Sequence, residues 1–137
     1  MTQEEKQLLL VDLSARFPYN VAIDCRSEDS RFTCYLTTDM LREIQNNTCY
    51  WKYKPFLFPL SSMSEEQKEE LFFNYIHNDI YFDDFNDYFL AGELWHDICI
   101  SMDILSELIN WLNKNHFDYR GLISMGLAND ATGLNIY

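Results

Sequence analysis

The sequence predicts an α+β fold: one domain over residues 1–137, with an antiparallel sheet of about five strands packed by three to four helices. Three observations predict it. Apolar residues recur at helical spacing near both ends of the chain. They alternate at period two in several segments between, and polar turns separate those segments. The chain has 137 residues, 47% hydrophobic and 16% aromatic, enough to bury a core without disulfides or metal. Four glycines and three prolines exclude collagen-like and low-complexity classes.

Thr2 and Glu5 have capping-box spacing, and Leu9, Leu10, Leu13 and Phe17 follow at helical intervals. A helix is expected over residues 3–16, stopped before Pro18. Val21, Ile23 and Cys25 alternate with Ala22 and Asp24, as in a half-buried strand. A charged turn (Arg26 to Ser30) leads to a second alternation, Phe32, Cys34 and Leu36, completing a hairpin. Thr37 to Ile44 fits either an extension of the sheet or one helical turn. Asn46-Asn47 signals a turn. Cys49, Trp51 and Tyr53 predict a third strand. The next stretch, Lys54 to Ser62, holds two prolines and is expected to be irregular.

Ser64 and Gln67 form a second capping-box pair, opening a helix over residues 65–77. Residues 79–90 mix aromatics with acids and read as strands around an Asp-Asn turn. Residues 93–100 alternate as another strand. Ser101 is an expected N-cap for a helix over 102–114, whose stripe runs through Ile104, Leu105, Leu108, Trp111 and Leu112. A short helix is expected over 119–127, and the tail after Ala128 is expected to be loosely held.

Charge is the most uneven feature. The chain carries 22 acids and 10 bases, net -12, which argues against a generic nucleic-acid binder and against docking on an anionic membrane. Residues 61–100 carry 10 of those acids and one base, so three-quarters of the net charge lies in forty residues. Four of these acids open a helix, where the dipole favours them, and a solvated face is the plain reading. The sharper reading is an acidic face interleaved with aromatics that binds a basic protein surface. Its candidate contact residues are Tyr81, Asp83, Asp84, Phe85, Asp87, Tyr88 and Glu93. Acids there steer the encounter and aromatics supply desolvated anchors.

Motifs for catalysis and metal binding are missing. His77, His96 and His116 form no HxH, HExxH or Cys/His zinc spacing. Glu93 and His96 point to opposite faces of the expected strand. The run Asp83 to Asp87 lacks the glycine and closing glutamate of an EF-hand. No Gly-rich phosphate loop and no GxSxG occur. The expectation is a non-enzyme with no cofactor and no metal site. Glu4, Glu5 and Asp12 fall where a secretory leader would be basic or apolar, so a cytoplasmic protein is expected, with Cys25, Cys34, Cys49 and Cys99 reduced.

Two segments, KPFLFPLSSMSEEQKEEL (Lys54 to Leu71) and INWLNKNHFDYRGLISMGLA (Ile109 to Ala128), resemble an uncharacterised family of small proteins of gut Bacteroidetes and their phages and prophages. The opening helix is similar to theirs as well, whereas Asp79 to Met102 and the tail show no firm match. The resemblance transfers no catalytic residue. It implies a phage or mobile-element accessory protein. His116, Tyr119 and Arg120, inside the second segment, read first as turn residues holding helix-end carbonyls and second as a binding site.

The leading expectation is an inhibitor of a basic or nucleic-acid-binding bacterial protein, such as a CRISPR effector, with no direct DNA or RNA binding and no membrane contact. One alternative is a self-associating structural protein, a homodimer joined through the aromatic-rich middle. The other is a small-ligand binder or minor enzyme built on the turn from His116 to Arg120.

Overall fold

A computed structural model describes residues 1–75 and 102–137, with side chains described through residue 71 and from residue 106. These residues form an α+β fold in which four α-helices accompany a five-stranded mixed sheet. The expected strands at 79–90 and 93–100, and the Ser101 cap, lie outside the described residues.

Helix α1 (Gln3–Arg16) opens on the predicted capping box: Thr2 Oγ1 accepts from Glu5 N at 3.1 Å, and Glu5 Oε2 accepts from Thr2 N at 2.7 Å. A 3-10 turn over Phe17–Tyr19 and a left-handed Asn20 lead into β1 (Ala22–Arg26). The hairpin partner is β2 (Arg31–Tyr35), paired antiparallel with Ile23 opposite Cys34. The ambiguous segment resolves as helix α2 (Thr38–Asn46). Thr37 caps it and Asn47 ends it in the left-handed region, as the Asn-Asn turn predicted. Met40 and Ile44, four apart, are its buried side chains.

Strand β3 (Lys52–Pro59) corrects two expectations. It starts three residues later than the alternation suggested, and it runs through the proline-bearing stretch expected to be irregular. A proline is tolerated where the ladder asks for no N–H. Pro55 falls opposite Ile23 in the antiparallel pairing with β1, and Pro59 is the last residue of the strand. Helix α3 (Glu65–Tyr75) follows the second capping box, with Ser64 and Gln67 bonded reciprocally at 2.9 and 3.2 Å. Helix α4 (Met102–Lys114) matches its predicted span.

The C-terminal segment departs most from expectation. No helix forms over 119–127. Instead, β4 (Phe117–Asp118) and β5 (Asn129–Asp130) each add to β3 in parallel, so only the β1–β3 part of the sheet is antiparallel. Between them the chain turns tightly, with Gly121 and Gly126 at φ +77° and +75°, a conformation that costs a side chain strain and that no helix contains. Asp118 holds this turn: its two carboxylate oxygens accept from Leu122 N and Ile123 N, both at 2.9 Å. The tail is anchored rather than loose. Ala131 is buried with Ala22 and Phe56, and Ile136 packs on them. The Tyr137 hydroxyl accepts from Ala22 N (2.9 Å) and donates to Phe56 O (2.7 Å).

The sheet therefore has two differently covered faces. The main core joins Leu9 and Leu13 of α1 and Met40 and Ile44 of α2 to Ile23 and Cys25 of β1, with Leu57, Leu122 and Leu127. The opposite face is capped at one end by the C-terminal tail and carries polar side chains at the other. Cys25, Cys34 and Cys49 are free thiols. Cys25 and Cys34 approach to 3.2 Å, and burial with the Cys34 neighbour pushes the Cys25 thiol up to about 12, so it stays protonated.

Candidate functional site

The leading candidate residues, Tyr81, Asp83, Asp84, Phe85, Asp87, Tyr88 and Glu93, lie outside the described residues. The acidic segment enters the described part through α3. There Glu65, Glu66, Glu69 and Glu70 are all exposed. Glu65 pairs with Lys68 at 3.2 Å, and Glu70 accepts from Trp111 Nε1 at 2.9 Å, tying α3 to α4.

The structure brings His116, Tyr119 and Arg120 together around a buried ion pair. Asp12 and Arg16, one turn apart on α1, are both fully buried and bonded in a fork: Nε to Oδ2 at 2.7 Å and Nη2 to Oδ1 at 3.1 Å. The same Nη2 donates to Phe117 O at 2.7 Å. It is thus Arg16, not His116 or Arg120, that holds a carbonyl just past a helix end. Arg120 Nε stands 3.3 Å from Asp12 Oδ1, too poorly aligned for a hydrogen bond. The Tyr119 ring is near both guanidiniums, its centroid 5.4 Å from that of Arg16 and 5.0 Å from that of Arg120, and its hydroxyl donates to Asn113 at 2.9 Å.

His116 closes this cluster against the C-terminus. Its ring stacks on Tyr137 with centroids 3.6 Å apart and planes 11° from parallel. Burial, followed by the Arg16 charge, lowers its pKa to about 4, so the ring is neutral at pH 7. An unfolded histidine titrates near 6.5. Between those values the unfolded chain takes up a proton that the folded chain does not, so His116 favours folding above pH 6.5 and loses that contribution as pH falls towards 4. We expect the native protein to lose about 2 kcal/mol more than His116→Asn between pH 7 and pH 5. Asparagine suits the left-handed backbone at this position, φ +63°. Urea midpoints of the two proteins across that range check it; parallel profiles contradict it.

Sequence reasoning missed a second arrangement, on the polar end of the open sheet face. Register places Arg31, Arg26 and Lys52 in one cross-strand row and Thr33, Asp24 and Lys54 in the next. Asp24 is 3% exposed and accepts from Arg31 (2.9 Å) and Asn129 (2.8 Å), with Arg26 at 3.5 Å. A polar cavity of about 170 Å³ opens among Asp24, Arg26, Lys52, Lys54 and Asn129. A larger cleft of about 560 Å³ lies across the sheet, on the helix-covered side, and also touches Lys52 and Lys54. Its other walls include Tyr50, Trp51, Tyr53, Leu9 and Leu127. Phe32, Trp51 and Tyr50 form an edge-to-face aromatic row beside it. The only sequence signal was the Lys-x-Lys spacing at 52 and 54; the arginines join it through strand pairing.

Among the described residues, no three His, Cys, Asp or Glu side chains gather as a metal would need. Among them too, no helix is long and apolar enough to cross a membrane. No protein-family model matches the chain, and neither does any curated protein or solved structure.

Proposed function

We propose that this chain is a small, cytoplasmic, non-enzymatic interaction protein that binds and inhibits a basic, nucleic-acid-binding protein of a bacterial host. The observation that carries the reading is the concentration of ten acids against one base in residues 61–100. The exposure of all four glutamates at the start of α3 supports it. Such a segment offers a basic groove the charge it normally finds in a nucleic-acid backbone, and the interleaved aromatics supply anchors. The resemblance to phage and prophage proteins of gut Bacteroidetes favours a defence effector, of CRISPR type, as the partner.

The test is affinity capture of the tagged full chain from lysate of such a bacterium at low and moderate salt, followed by titration with the captured partner in purified form. The expected result is a stoichiometric complex that weakens with salt and is displaced by single-stranded nucleic acid. A chain that associates only with itself overturns the reading.

A further inference from the structure

We propose that Cys25 and Cys34 are a site of oxidative modification, at which hydrogen peroxide forms a disulfide joining β1 to β2. This inference is independent of the acidic segment and of the inhibitor reading.

Strand register brings the two thiols together. Cys34 lies opposite Ile23, and Ile23 and Cys25 project from the same, helix-covered face of β1. Cys25 and Cys34 are therefore diagonal neighbours on one face of the hairpin, with their sulfurs 3.2 Å apart. A disulfide bond is about 2.0 Å long, so the sulfurs close by only about 1 Å to form one.

The pair divides the roles that bond formation needs. Cys25 is fully buried, and that burial keeps it in the thiol form. Cys34 is only partly buried, on a strand whose one partner among the described residues is β1. A small oxidant therefore meets Cys34 first. The Cys34 thiolate attacks one peroxide oxygen, so that an S–O bond forms and the O–O bond breaks. The sulfur gives up two electrons and becomes a sulfenic acid, and the released hydroxide takes up a proton to leave as water. The Cys25 sulfur then attacks the Cys34 sulfur. The S–S bond forms, the S–O bond breaks, and the Cys25 proton leaves with the oxygen as a second water. One peroxide is consumed for each bond. A resolving thiol already in contact intercepts the sulfenic acid before a second peroxide takes it to the sulfinic acid.

Trypsin separates the two cysteines, because Arg26 and Arg31 lie between them. The test is to treat the full chain with one equivalent of hydrogen peroxide, alkylate it in urea, digest it without reduction and analyse the peptides by mass spectrometry. The expected product is residues 17–26 joined to residues 32–42, two hydrogens lighter than the separate peptides. Cys25→Ala should leave a sulfenic acid at Cys34 that dimedone traps, and unchanged thermal unfolding confirms that this variant is folded. Cys34→Ser alters a half-buried side chain and should leave Cys25 fully alkylated. Recovery of both peptides alkylated, while exposed Cys49 is oxidised, overturns the proposal. So does sulfinic acid at Cys34 in the native chain, a bond from Cys34 to Cys49 in place of Cys25, or oxidation of Cys25 in Cys34→Ser.

Discussion

Replacing Arg16 with methionine should destabilise the fold by about 3–5 kcal/mol, the cost of leaving a buried charge without its partner. That is a large fraction of the roughly 5–15 kcal/mol that holds a domain of this size together. Arg16 is fully buried, and its guanidinium joins the Asp12 carboxylate to Phe117 O at the start of β4. Methionine fills the apolar stem but strands Asp12, itself fully buried, with only the misaligned Arg120 at 3.3 Å. Removing both charges, as Asp12→Leu with Arg16→Met, should restore more than half of the loss, because no buried ion is then left unpaired. Urea midpoints at constant slope measure both. A single-variant loss under about 1 kcal/mol means that water or Arg120 already solvates Asp12.

The second large effect is at Asp118. Its carboxylate is 8% exposed and accepts two backbone N–H groups at 2.9 Å, one of them on fully buried Leu122. Asp118→Ala should cost about 2–4 kcal/mol, since both donors lose a charged acceptor. Asp118→Asn should fall between, because an amide offers one acceptor oxygen for two donors. The loss should be local first. Leu122 O accepts from Leu127 N and Ala128 N, so the turn that carries Leu127 to the aromatic cleft depends on this cap. Amide hydrogen exchange should quicken at Leu122, Ile123, Leu127 and Ala128 before the rest of the sheet. Uniform quickening across all strands contradicts a local role.

Much of the fold was legible because local chemistry and tertiary packing agree over most of the chain. Both capping boxes predicted helix starts that the structure contains, and the alternation at Val21 to Cys25 and Phe32 to Leu36 predicted a real hairpin. Misreadings arose where a tertiary partner decided the outcome. Two prolines looked like breakers in β3, yet they fall where pairing needs no donor from them. Tyr119, Leu122, Ile123 and Leu127 have helical spacing, but Gly121 and Gly126 in the left-handed region and the Asp118 cap make that segment a turn.

The sites divide in the same way. An excess of acid between residues 61 and 100 is a one-dimensional property, visible without a structure. The buried Asp12–Arg16 pair went unnoticed in the sequence, because nothing local says which face of α1 meets Phe117. Four cations around Asp24 were invisible for a similar reason. Strand register, not sequence distance, makes Arg31 a neighbour of Lys52 through Arg26.

The central claim is that the acidic segment docks on a basic, nucleic-acid-binding partner. The most direct measurement is the salt dependence of the association constant for the purified partner, comparing the native chain with a variant carrying Asp83→Lys, Asp84→Lys and Asp87→Lys. The account predicts at least tenfold weaker binding at low salt and a shallower salt slope for the variant, with its unfolding midpoint little changed. Equal affinity and an equal slope for the two proteins would contradict it.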